Sequence, residues 1–339
     1  MFSKFKSHFI SPPSNALSLG LLREPQKYNS SDLKGVLILN QVDEVCRHFP
    51  TLKNQFILIE RNGWHGMCRA RHADIKLIED PSTLKKTRRK FPHSILLASS
   101  NAEFVDESHF FPSGKPPEFD AIQIACWSPR KRIDLFVRAA AMLPNLSFVQ
   151  MGHFENNGTS EELNYRENCI QLSKRLGANI TFPFHDQTSN EDLPNSKEEI
   201  NEWINRAKIG ILTATPEGCN RFKMECLAAG RPMLVARDAG VTTQKHINEK
   251  TGDLFKPTAR ALAKVIPRTL ANRECFSPRD YLLENSGRSV ALPRLQSALS
   301  QHCARLGMDD SFADIDWDGR NSNFLWGEMA WQRLRELVT

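Results

Sequence analysis

The sequence predicts an α/β protein of two domains, each a largely parallel sheet covered by helices. Three observations predict it. At 339 residues the chain is too long for one domain of average size. From about residue 120, short apolar runs alternate with helical patterns of about ten residues, the signature of a parallel sheet covered on both faces. A Pro- and Gly-rich break, Phe111-Pro-Ser-Gly-Lys-Pro-Pro117, separates this regular half from a looser first half.

In the first half, strands are expected over 35–40, 56–60, 75–78 and 95–98, in a small α/β domain spanning 1–114. In the second, 121–125 reads as a buried strand and 133–142 as a helix with apolar residues at helical spacing. A strand over 146–151 is closed by Gly152, and a long amphipathic helix over 161–176 is capped by Gly177. A short strand over 180–184 and a helix over 197–206 come next. A strand over 209–213, a helix over 221–229 with Gly230 just past its end, and a strand over 233–236 complete the regular part. The second domain spans 118–310. The segment 311–339, ending in an amphipathic helix over 325–338 with Trp326 and Trp331, crosses back to the first domain.

Composition narrows the class. Hydrophobic residues make up 40% and charged residues 25%, the balance of a soluble globular protein. The longest apolar runs, 56–59 and 209–212, fall far short of the ~20 residues a membrane-spanning helix needs. The start alternates Phe with Lys and lacks the apolar core of a secretory signal. Eight scattered cysteines, without a Cys-x-x-Cys pair, argue against a zinc site and against a disulfide-stapled fold. A cytoplasmic protein with reduced thiols is expected. The net charge of +6 favours an anionic partner.

In an open parallel sheet, ligands bind where strands end and helices begin, and three such loops carry unusual residues. Trp127-Ser-Pro-Arg-Lys-Arg132 gathers three cations able to hold a diphosphate, Arg as a planar fork and Lys as a point charge. A lone basic triplet is otherwise a solvated loop. At Met151-Gly152-His153 the glycine allows close approach of a ligand to backbone, although strand-end glycines are common. The absence of Gly-x-Gly-x-x-Gly after any strand counts against a dehydrogenase. The third loop, Thr215-Pro-Glu217-Gly218-Cys219-Asn220, leads into a helix carrying Glu225. Asn220 suits the N-cap, and the free amides behind it form an anion site. Two carboxylates beside a phosphate site suit a ligand that is also a polyol, since each accepts from neighbouring hydroxyls. Singly, each glutamate reads as a surface charge.

Taken together, Glu217 and Glu225 at Glu-x7-Glu spacing, Cys226-Leu-Ala-Ala-Gly-Arg-Pro-Met-Leu-Val-Ala236 behind them, Asp238-Ala-Gly-Val241 and Gly252-Asp-Leu-Phe-Lys-Pro257 resemble glycosyltransferase family 4. Ser128-Pro-Arg-Lys131 is similar to its Lys-Gly loop, and Val105-Asp-Glu-Ser-His-Phe110 to its interdomain linker. The resemblance covers roughly 95–257 well. It implies the GT-B fold, two Rossmann-like domains facing each other across a cleft. It implies transfer of a sugar, with retention, from a nucleoside diphosphate sugar, without cofactor or metal. Glu217 would contact the transferred sugar and Glu225 the ribose. Lys131, with Arg130 or Arg132, would neutralise the diphosphate. Gly218, Cys219 and Asn220 would bring backbone amides to the donor; Gly152 is added as a donor contact on its strand-end position alone. His65, in the loop Asn62-Gly-Trp-His65-Gly66, stands where members place a histidine facing the acceptor, and a plain loop residue is an equal reading. Departures are Ala125-Cys126 where many members have Gly-Arg, and Gly-Cys-Asn after Glu217 in place of Gly-Phe-Gly. They motivate the alternative of a noncatalytic GT-B-like module binding a nucleotide, a glycan or nucleic acid.

The acceptor is expected to be lipid-linked or an anionic glycan. Lys85-Lys-Thr-Arg-Arg-Lys90 is cationic at all positions but one, and Phe2, Phe5 and Phe9 alternate with Lys4 and Lys6 in the same domain. A charge run alone is a solvated helix. Two basic–aromatic elements together favour an anionic membrane surface, on the inner face of a membrane. Nucleic acid ranks lower, because no broad basic stripe is present.

Overall fold

The computed structural model describes residues 17–28, 31–61, 68–155, 158–190, 196–308, 315, 317 and 324–338. The first lobe opens with β1 (Ser18–Arg23), a hairpin of β2 (Gln26–Tyr28) and β3 (Ser31–Leu33), and β4 (Gly35–Leu39). Helices α1 (Val42–His48) and α2 (Leu52–Gln55) lead to β5 (Phe56–Arg61) and β6 (Ile75–Leu77); α3 (Leu84–Lys90) leads to β7 (Ile95–Leu97). Strands β4 to β7 pair in parallel in chain order, while β1 lies antiparallel against β4. Continuous apolar runs such as Gly-Val-Leu-Ile-Leu suit a sheet covered on both faces. Strand periodicity then sorts the residues, with Val36, Ile38, Ile57 and Ile59 on one face and Leu37, Leu39, Phe56 and Leu58 on the other.

The second lobe is regular. After the linker come β8 (Phe119–Cys126), α4 (Ile133–Ala141), β9 (Phe148–His153), α5 (Ser160–Leu176) and β10 (Ile180–Thr181). Then follow α6 (Lys197–Asn205), β11 (Ala207–Leu212), α7 (Arg221–Ala228), β12 (Met233–Ala236) and α8 (Val241–Gln244). The lobe ends in β13 (Gly252–Phe255), α9 (Ala259–Ala271) and α10 (Pro278–Asn285). All six strands are parallel, in the order β10-β9-β8-β11-β12-β13. Helix ends follow local chemistry. Thr159 and Glu162 form a capping box at the start of α5, and Gly177 takes the left-handed φ of 64° that ends it.

The return to the first lobe begins at residue 288, earlier than the 311 expected from sequence. Helix α11 (Arg288–Arg305) lays Ala291, Leu295, Ala298, Leu299 and Cys303 on the Val36 face of the first sheet. The expected second domain, 118–310, therefore gives up this helix, because its apolar stripe has its partner in the first lobe. Segment 325–338, expected as one helix, starts as a strand. β14 (Phe324–Trp326) pairs antiparallel with β1, and α12 (Gly327–Val338) places Ala330, Trp331 and Leu334 on the opposite sheet face. The Leu-rich faces of β4 and β5 are thus closed by the end of the chain.

Candidate active site

Strand ends of the two lobes meet across a cleft. The loop after β8 carries Arg130, Lys131 and Arg132, and the loop after β11 carries Glu217. They are laced together by Thr213 Oγ1 donating to Lys131 O at 2.6 Å and Thr215 N donating to Arg130 O at 2.8 Å. Gln123 on β8 donates to Thr213 Oγ1 at 2.6 Å and holds that hydroxyl in place. Glu217 is fixed from the other side, its N–H donating to Ala239 O at 2.8 Å and its carbonyl accepting from Thr243 Oγ1 at 2.7 Å.

The Lys131 ammonium donates to Glu217 Oε2, and both side chains are buried. Arg130 reaches the same oxygen at 3.7 Å and donates to Glu155 at 2.7 Å. Arg132 turns away. It sits in the left-handed region at φ 49°, where the family resemblance has glycine. Its guanidinium grips Asp238 through two bonds of 2.8 Å and donates through Nε to Thr213 O at 2.6 Å. The basic triplet therefore divides, Lys131 and Arg130 facing Glu217 and Arg132 clamping two loops. Cys126, at the departure from Gly-Arg, supplies no cation, and burial pushes its thiol up to about 11, so it is neutral.

Helix α7 is capped by Asn220, whose Oδ1 accepts from Lys223 N at 3.0 Å. Gly218 and Cys219 precede it, and Glu225 lies just over one turn in, buried. Lys223, fully buried, donates to Thr243 O at 3.0 Å and Lys245 O at 2.8 Å, tying α7 to α8 and the residue just past it. Gly152 differs from expectation. A Cβ there would lie 1.9 Å from the buried Trp127 indole, so the glycine is needed for the close approach of that ring, a role the sequence did not suggest. His65 and Phe2, Phe5 and Phe9 lie outside the described residues.

Sequence reasoning missed what the first lobe contributes. Glu79, just past β6, accepts from the Cys219 amide, and Arg61 ends β5. Burial raises the Glu79 carboxyl above its ordinary value, and the carboxylates of Glu103 and Glu217 add to that. Both residues close strands, the same signal that singled out Glu217. With Glu217, Cys219, Asn220 and Arg221 they line a cleft cavity of about 180 Å³. Behind it, Glu103 of the first lobe accepts from Lys245 and lies 2.7 Å from His246 Nε2. Glu103, Cys219 and His246 offer atoms within 4.8 Å of one another, a spacing that suits a metal ion. Lys245 already matches the charge of Glu103, and burial raises the Cys219 thiol above its ordinary value, so this cluster offers one charged ligand that is already paired.

Two Rossmann-like lobes whose strand ends face one another across a cleft define the GT-B architecture. Residues 105–286 match the family model described as glycosyl transferases group 1, more than half of the chain. Among solved structures, sucrose-phosphate synthase from Thermosynechococcus elongatus is similar at a TM-score of 0.57 and 17% identity, over 74% of this chain and 68% of that one. Anabaena HepE, in complex with UDP and glucose, is similar at 0.53 and 15%, over 68% and 64%. A glycosyltransferase from Rickettsia africae gives 0.53 and 14%, over 74% and 70%. The chain thus spans about two thirds of the length of these structures. No curated protein matches it by sequence. The chain belongs to the glycosyl transferases group 1 family and is a glycosyltransferase.

Proposed function

We propose that the protein transfers a sugar from a nucleoside diphosphate sugar to an acceptor with retention at the anomeric carbon, and without a metal. One observation carries this reading: Lys131 and Arg130 converge on Glu217 beside the capped start of α7. Cations and helix-start amides at one spot stabilise a diphosphate as it leaves, and they need no rearrangement when charge develops. In the free protein Glu217 neutralises Lys131. With donor bound, the diphosphate takes over the lysine and Glu217 turns its oxygens to the sugar hydroxyls. Glu225, one turn along the same helix, holds the ribose. HepE is seen with UDP and with UDP-glucose, which makes these the first donors to try.

Glu217→Gln and Glu225→Gln separate the roles. The first should lower kcat by about a hundredfold with little change in nucleotide affinity. The second should weaken nucleotide binding by about 1–3 kcal/mol while kcat at saturation holds. Wild-type kinetics in both variants would remove the assignment, and a noncatalytic module would release no UDP from UDP-glucose at all. The anomeric configuration of the product, read by NMR, tests retention, and full turnover in EDTA tests metal independence.

The acceptor lobe is read as docking on an anionic membrane surface. Lys85, Lys86, Arg88, Arg89 and Lys90 of α3 are all exposed, each worth roughly 1 kcal/mol at such a surface. No helix among the described residues is long and apolar enough to cross a membrane. Salt-sensitive co-sedimentation with anionic vesicles, and none with neutral ones, is the expected result. Equal, negligible binding to both would end this reading.

A further inference from the structure

The cavity on the first-lobe side of Glu217 draws charge from both lobes. Arg61 closes β5 and Arg221 opens α7, and both line it together with Glu79 and Glu217. Arg61 is held in place, its Nη2 donating to Ser18 Oγ at 2.7 Å and its guanidinium 5.4 Å from the centre of the Trp326 ring. Burial lowers the Arg61 guanidinium to about 10, and the like charge of Arg221 adds to that, while Glu79 opposes it. The two wall carboxylates are engaged, Glu217 by Lys131 and Arg130, and Glu79 by the Cys219 amide. An anion between Arg61 and Arg221 would be attracted by both guanidinium groups. A cavity of about 180 Å³ admits a carboxylate or phosphate with part of a sugar, and is too small for a nucleotide.

We propose that Arg61 and Arg221 form a subsite for an anionic group of the acceptor, a carboxylate or a phosphate monoester. The proposal rests on the reading of Glu217 as the residue facing the transferred sugar. Arg61 comes from the first lobe, and neither Lys131 nor Glu225, read as the diphosphate and ribose ligands, lines this cavity; Glu217, Gly218, Cys219 and Asn220 do, so the cavity adjoins the transferred sugar and the UDP arm of the test separates an acceptor anion from the donor's own. Planar guanidinium forks suit either anion through paired hydrogen bonds.

The test uses the full chain, UDP as donor-side probe, and glucose, glucuronate and glucose 6-phosphate as acceptor-side probes, read by calorimetry at saturating UDP. The charged sugars should bind about tenfold or more tightly than glucose. Arg61→Gln and Arg221→Gln should each remove most of that preference, with the Kd for UDP moving less than about twofold. Arg61→Lys keeps the charge and loses the fork, so it should retain an intermediate preference; its melting temperature guards against loss of fold. Equal Kd values for charged and neutral sugars, or a preference that survives the double variant, overturn the proposal. So does a fall of about tenfold in UDP affinity in both variants, because the anion is then the donor's diphosphate. If no nucleoside diphosphate binds the wild-type protein, the donor reading fails by itself. The subsite is then judged by the same three sugars titrated without nucleotide.

Discussion

Lys131 and Glu217 form a buried ion pair, and its energetics differ from those of a surface bridge. Removing one partner leaves a charge away from water, whereas removing both does not. Lys131→Ala should therefore lower the unfolding free energy by about 3 kcal/mol, moderated by Arg130 at 3.7 Å from the orphaned carboxylate. Lys131→Met combined with Glu217→Gln should recover most of that stability, while UDP binding, which Lys131→Ala should lose with the diphosphate ligand, is not restored. Urea titrations of the three proteins, with calorimetry, check both halves. A double variant as unstable as Lys131→Ala would show that packing, not the unpaired charge, sets the cost. The sequence placed three cations side by side and suggested one job for all of them. Their division was hidden because it turns on the left-handed backbone at Arg132, which aims that side chain at Asp238.

The elements of the second lobe were readable because each is set by its own local chemistry. Asn220 accepts from Lys223 N where a cap was expected, and Gly177 ends α5. The first lobe was less readable because its sheet is completed from a distance. β1 is sandwiched between β4 and β14, and β14 arrives from some three hundred residues away, so no local pattern marks the pairing. Side chains that meet across strands are equally invisible in sequence, and Gly152 is the sharpest case. It faces the Trp127 indole, which is buried against Ile133, Val137 and Phe154. Gly152→Ala drives a methyl to within 1.9 Å of that ring, and the indole cannot yield without moving its neighbours. The variant should lose about 1–3 kcal/mol of stability, with a blue- or red-shifted tryptophan emission from the displaced ring. An unchanged urea midpoint would mean that the strand end relaxes more easily than the packing implies.

At the scale of the molecule, the lobes are joined by charge as well as by the returning helix. Glu103 belongs to the first lobe, and Lys245 and His246 to the second. Burial alone would raise the Glu103 carboxyl, but hydrogen bonds from His246 and Lys245, with the charge of Lys245, hold it at about 2 against an ordinary 4.5. A carboxyl depressed on folding stabilises the folded state above its unfolded value and loses that contribution as pH falls toward its folded value. The window is thus pH 4.5 down to about 2. A shift of this size corresponds to about 3 kcal/mol at most, since each unit is worth about 1.4 kcal/mol. His246 is pushed downward by burial and by Lys223 and Lys245, with Glu103 opposing, so at neutral pH the lysine supplies the charge of this contact. Glu103→Gln keeps the shape and removes the charge. The gap in unfolding free energy between wild type and this variant should narrow between pH 4.5 and 2, and nearly close at the lower end. Urea titrations at half-unit intervals, with both proteins in the same buffers, cancel the other carboxylates that titrate in this range. A gap that stays constant to pH 2 would mean that the Glu103 contact owes its strength to shape rather than to charge, and that the lobes are held together by the packing of α11 on the first sheet.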